Sequence, residues 1–188
     1  MRWDGLFADL EAQYAALAEG QRSGEVDERA RAEAGTIGLV NRIRPSVGQP
    51  FRVRCLGRET VLGHLRRAAP EWLLLREDAG REALVPTASI VWASGATRLS
   101  SGPGAASVVE SRLGLAHALR GIARDRSAVR LALTDGSAIA GTLDRVGADH
   151  LELAVHPPGE LRRRAEVRDA VLVAFAGLAV VRREAEAR

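Results

Sequence analysis

Residues 51 to 75 align without a gap onto residues 129 to 153, and a duplication of that length commits both halves of the chain to one fold. Arg52/Arg130, Gly63/Gly141, Leu65/Leu143, Arg67/Arg145, Leu73/Leu151 and Leu75/Leu153 are identical across the repeat. Phe51/Val129, Val53/Leu131, Cys55/Leu133, Val61/Ile139 and Glu71/Asp149 keep their character. The apolar matches alternate, which is the period of half-buried strands. It predicts strands over 51–56, 60–67 and 71–76, and again over 129–134, 138–145 and 149–155. Asp135-Gly136 is a hairpin signal between the first two strands of the second half, and "LGRE" fills the same slot in the first. Further along, Leu84-Val85 with Ile90 matches Leu172-Val173 with Leu178, the second copy carrying about ten extra residues before its fourth strand.

A short apolar helix precedes the strands in each copy, "IGLVNRIRPSV" from Ile37 and "LGLAHALRGIA" from Leu113. Each unit therefore reads as helix, three strands, loop, fourth strand, tight turn and short fifth strand. Five short strands bury a common core by bending into a small barrel, and sharp bending calls for a residue without a Cβ, which Gly63 and Gly141 supply. The predicted fold is mainly β with helices: two tandem five-stranded small β-barrels, each preceded by a short helix, plus an N-terminal amphipathic helix. The expected domains are 1–35 (helix and polar extension), 36–93 (first barrel), 94–111 (linker), 112–183 (second barrel with a loop insertion) and 184–188 (tail).

The stretch "VRLALTDGSAIAGTLDRVGADHLEL" resembles the first conserved motif of the Sm and Sm-like (Hfq-like) proteins, with Val129, Leu131, Gly136, Gly141, Leu143, Asp149, Leu151 and Leu153 on the motif. The first copy matches less closely, with Arg58 where the turn glycine would stand. The resemblance spans 36–93 and 112–183, roughly two thirds of the chain. The whole chain also resembles a group of uncharacterised actinobacterial proteins, which adds no mechanism. The Sm likeness implies an N-terminal helix, a strongly bent five-stranded barrel, RNA as partner and edge-to-edge association of units. The departures bear on function. Sm proteins grip uracil-rich RNA with an Asn before the third strand and an Arg-Gly pair before the fifth. Here His150 and Trp72 stand at or near the first place, and "PTAS" or "AFAG" at the second. The resemblance thus transfers the fold better than the RNA site.

Trp3, Phe7, Leu10, Tyr14 and Leu17 step by four and three residues, the stripe of an amphipathic helix too short to stand alone in water. It is expected to dock on its own body, on a second copy or on a foreign protein partner. From Gln21 to Gly35 the chain is polar, a solvated helical continuation or a linker. "SGATRLSSGPGAAS", from Ser94, reads as an interdomain linker. Its "GPGAAS" is half a dinucleotide-binding fingerprint, but no βαβ unit follows.

Composition narrows the chemistry. All 27 basic residues are Arg, net charge is +3, and the first 35 residues carry four Arg against eight acids. That is a weak electrostatic footprint for a polyanion ligand. Only 4% of residues are aromatic, which argues against base-stacking platforms. Cys55 is the one cysteine, so a disulfide scaffold is excluded, and His64, His117, His150 and His156 lack metal-ligand spacing. The histidines read as surface or satisfied groups, and Glu77/Asp78 as solvated hairpin residues. No cofactor or metal is expected, no apolar run is long enough to span a membrane, and no signal peptide is read at the start, which makes the cytoplasm the expected compartment.

The reading is a non-enzymatic binding protein, with nucleic acid, RNA foremost, held through phosphate contacts. Arg162, Arg163, Arg164 and Arg168 in "ELRRRAEVRD" are the first candidates, because guanidinium forks pair with phosphate oxygens. Arg66 and Arg67 are the second. The alternative is a protein-interaction or scaffolding module, a homodimer included, that uses barrel edges and the N-terminal helix. RNA binding requires the Arg of both units on one face; scaffolding predicts dispersed charge and exposed apolar patches.

Overall fold

A computed structural model describes residues 34–78, 80–102, 114–156 and 169–184, together with positions 13, 28, 31 and 32. The chain divides into two compact units, Met1–Gly38 and Leu39–Arg188. In the first, Gln13, Glu28, Arg31, Ala32, Ala34 and Gly35 are helical and exposed, so from Glu28 on the described residues follow the helical continuation rather than the linker. The stripe Trp3, Phe7, Leu10, Tyr14 and Leu17 lies outside the described residues.

The second unit follows the repeat. Helix α1 (Leu39–Ile43) runs into a 3-10 turn over Arg44–Ser46, because Pro45 supplies no N–H to continue an α-helix. Its counterpart α2 (Leu115–Asp125) has no proline and extends to eleven residues. The strands are β1 (Pro50–Cys55), β2 (Thr60–Ala68), β3 (Trp72–Glu77), β4 (Glu82–Pro86) and β5 (Ile90–Ser94) in the first half. In the second they are β6 (Ala128–Leu133), β7 (Ala138–Val146), β8 (His150–Val155), β9 (Asp169–Ala174) and β10 (Leu178–Arg183). The bounds of β1, β2, β3, β6, β7 and β8 lie close to those read from the alternation. No described helix is long and apolar enough to cross a membrane.

Gly63 and Gly141 stand where no side chain fits. A Cβ on Gly63 would lie 2.2 Å from the Arg76 carbonyl oxygen, and one on Gly141 2.2 Å from that of Ala154, so the neighbouring strand's backbone packs directly on each glycine. Gly136 turns the β6–β7 hairpin at φ 90°, and Arg58, in the equivalent slot, takes the left-handed conformation at φ 62° despite its side chain.

Two separate closed barrels are not what the pairing shows. Among the described residues the ten strands form one antiparallel sheet, in the order β5-β1-β2-β3-β4-β10-β6-β7-β8-β9, and it does not close. Each half keeps the order fifth, first, second, third, fourth. The halves join because β4 pairs with β10, Leu84 opposite Val181 and Ala83 opposite Arg182.

The cores interlock at that joint. The first, built on Phe51, Val53, Val61, Leu65, Leu73 and Leu75, takes in Ala132, Ala179 and Val180 from the second half. The second, built on Leu119, Leu131, Leu143, Leu151 and Leu153, takes in Ala69, Trp72 and Leu84 from the first. Alternation along β4 and β10 sends successive side chains to opposite faces, so one strand pair feeds both cores. The first half also caps the second half's helix: the Leu115 N–H donates to Glu71 Oε2 at 2.7 Å where Gly114 has no side chain to offer. The described part of the expected linker is tied down too. Ser101 N–H donates to the Asn41 carbonyl at 2.8 Å, Thr97 N–H to Ser46 Oγ at 3.0 Å, and Arg42 to the carbonyls of Thr97 and Leu99.

Candidate functional site

Arg66 and Arg67 are both exposed on β2. The β2–β3 register shifts between Leu65 and Arg67, and this bulge turns two successive side chains outward. The same shift recurs between Leu143 and Arg145, where Asp144 and Arg145 emerge instead. The basic pair is therefore not repeated. Other arginines stand beside acids: Arg76 lies opposite Glu82 and Arg145 opposite Glu152. Arg162, Arg163, Arg164 and Arg168 lie outside the described residues.

Glu77 departs from its expected role as a solvated turn residue. It ends β3, largely buried, and accepts from Arg182 Nε at 3.3 Å. Arg182 Nη1 donates to Glu59 Oε2 at 2.8 Å and Nη2 to the Thr60 carbonyl at 3.2 Å. Burial alone would lower the affinity of this guanidinium for its proton. The Glu59 hydrogen bond and the charges of Glu77 and Glu59 outweigh that and hold Arg182 firmly charged. The cluster bolts the last strand of the second half to the β1–β2 turn and β3 of the first.

Cys55 is buried, and burial pushes its thiol up to about 11, with the Ser89 hydrogen bond pulling the other way. At neutral pH it is a thiol rather than a nucleophilic thiolate. His156 is a buried histidine whose Nε2 lies 2.8 Å from Thr142 Oγ1, and His150 Nδ1 lies 2.9 Å from Asp149 Oδ1, so both take the satisfied role read from sequence. Hydrogen bonding to His150 holds Asp149 below the usual carboxylate range.

Two features were not placed by the sequence, although edges in general were expected to serve as interaction surfaces. One is a cavity of about 340 Å³ where α2 crosses the joint, floored by Trp72, Leu74, Leu84, Val129 and Val181 and rimmed by Arg67, Glu82 and the Asp125–Arg183 ion pair at 3.3 Å. Its walls come from both halves, so no local pattern announces it. The other is the exposure of apolar side chains on β5 and β9, the outermost strands of the sheet among the described residues. Val91 and Trp92 on β5 and Leu172 on β9 are large apolar side chains left exposed. The repeat gives no signal of which edge is covered, since Leu172 occupies the same place in it as the buried Leu84.

Compared with known proteins, no family model matches the chain, and no curated protein or solved structure matches it either.

Proposed function

We propose that this chain is a non-enzymatic, cytoplasmic protein-interaction module built from two Sm-like units, which recruits its partners through the apolar side chains exposed on its outer strands β5 and β9. The observation that carries the reading is the exposure of Val91, Trp92 and Leu172 on those two edge strands. Apolar side chains exposed on an outer strand gain burial when a partner covers them. The strand order shared by the two halves supports the Sm-like assignment. Dispersed Arg/Glu pairing along the sheet favours protein over a phosphate backbone as ligand.

The nucleic-acid reading keeps one observation in its favour, the exposed Arg66–Arg67 pair with Arg162 to Arg164 and Arg168 as its companions in sequence. Two experiments separate the readings. A photo-crosslinking residue placed at position 92 or 172 of the full chain in cells gives protein adducts, and one at the exposed Arg76 gives none. Equal labelling from all three positions, or none from any, refutes the edge reading. Anisotropy of labelled single-stranded RNA across a salt series shows no steep salt-dependent binding if the edge reading holds. Tight binding lost on replacing Arg162 to Arg164 by Ala establishes the nucleic-acid reading instead.

A further inference from the structure

The two halves treat the same place beside their helices in different ways. By the repeat, Asn41, Arg42, Pro45 and Ser46 of the first half match His117, Ala118, Gly121 and Ile122 of the second. In the first half the chain covers these residues itself. Pro45 has no N–H to give the Asn41 carbonyl, which accepts from the Ser101 N–H at 2.8 Å instead. Arg42 donates to the carbonyls of Thr97 and Leu99, and Ser46 Oγ accepts from the Thr97 N–H at 3.0 Å. Residues 97–101 are thereby strapped across α1.

In the second half each of those anchors has been exchanged. Ala118 stands for Arg42, Ile122 stands for Ser46, and Gly121 restores the N–H that Pro45 lacks. All three line the cavity of about 340 Å³ under α2. Space has also been left in the helix wall: a Cβ on Gly121 would meet nothing within 4 Å, although alanine is the better helix former. The floor differs from the repeat in the same direction. Trp72 and Leu74 reach it from β3, where their equivalents on β8 are His150 and Glu152.

Polar anchors replaced by small and apolar side chains, over an apolar floor, make a pocket for an apolar body. The rim selects its head group. Asp125 is engaged by Arg183 at 3.3 Å and by the Ser127 hydroxyl. That leaves Arg67 and Arg124 against Glu82 at the mouth, two cations to one carboxylate, and neither arginine has an ion-pair partner among the described residues. At a liquid's share of ~30 Å³ per water, a volume of 340 Å³ holds a molecule of about ten heavy atoms.

We propose that this cavity binds a small amphipathic monocarboxylate, its apolar body lying on Trp72 and Leu74 beneath α2 and its carboxylate drawn to the rim by Arg67 and Arg124. The proposal is independent of the outer strands, since no residue of β5 or β9 lines the cavity.

Isothermal titration calorimetry of the full chain with octanoate and with 3-phenylpropanoate tests it, octanol and octylammonium serving as head-group controls. At least one acid binds at one site per chain with a Kd below about 1 mM, and the alcohol and the amine bind at least about tenfold more weakly. Preference for octanoate identifies the natural body as an aliphatic chain, and preference for phenylpropanoate as an aromatic ring. Ala118→Leu fills the cavity, and Arg67→Gln with Arg124→Gln removes the rim cations at exposed positions; each change weakens binding by at least about tenfold. If circular dichroism shows Ala118→Leu unfolded, the paired glutamine variant decides alone. The proposal is overturned by an absence of saturable binding of either acid up to ~10 mM, or by alcohol or amine binding equal to the acid's. Acid binding that either folded variant leaves intact overturns it as well.

Discussion

Replacing Arg182 by Met should cost about 3 kcal/mol of stability, far more than a typical surface ion pair is worth. The guanidinium makes three hydrogen bonds, to Glu59 at 2.8 Å, to the Thr60 carbonyl at 3.2 Å and to Glu77 at 3.3 Å, and its side chain is 17% exposed. Breaking a fully buried pair by removing one partner costs roughly 3–5 kcal/mol, because the other charge is left without compensation. Partial access of water to Glu59 moves the value to the low end of that range. Arg183 is the internal control. It pairs with Asp125 at 3.3 Å but is 51% exposed, so Arg183→Ala should cost under about 1 kcal/mol. Urea unfolding of the full chain, followed by tryptophan fluorescence and far-ultraviolet circular dichroism, measures both. Because the cost is that of orphaned carboxylates, adding Glu59→Gln and Glu77→Gln to Arg182→Met should restore part of the loss. The reasoning is refuted if Arg182→Met costs no more than Arg183→Ala, or if the glutamines deepen the loss.

Two further predictions concern the two strand glycines and the buried thiol. Gly63→Ala and Gly141→Ala each force a Cβ to within 2.2 Å of a carbonyl oxygen on the neighbouring strand, and each should lower the unfolding free energy by about 3 kcal/mol. A change under about 1 kcal/mol in either would show that the strands part freely. Cys55 carries a folded-state pKa raised from 9.0 to about 11, so the stability it lends is complete below 9 and is lost as pH rises towards 11, where the unfolded thiol ionises first. Between pH 8 and 11 wild type should lose roughly 2 kcal/mol more than Cys55→Val. Parallel curves for the two proteins would refute the assignment.

The local structure was legible because its causes are local. A period of two places Phe51, Val53 and Cys55 on one face whatever they pack against, and Asp135-Gly136 turns a chain anywhere, with Asp135 Oδ1 accepting the Ser137 N–H at 2.8 Å. Glu77 was misjudged because a carboxylate beside a turn has no local signature of a partner 105 residues away. The cavity and the Arg182 bolt escaped for the same reason.

The sequence by itself determined which residues form strands, where glycine lets two strands approach and that the two halves are copies. Only the tertiary structure decided that the copies share one open sheet, trade residues between cores and, among the described residues, place β5 and β9 outermost. Alternation records which side of a strand is apolar, but not which strand lies beside it. Leu84 and Leu172 occupy the same place in the repeat, yet among the described residues only Leu84 has a strand on each side.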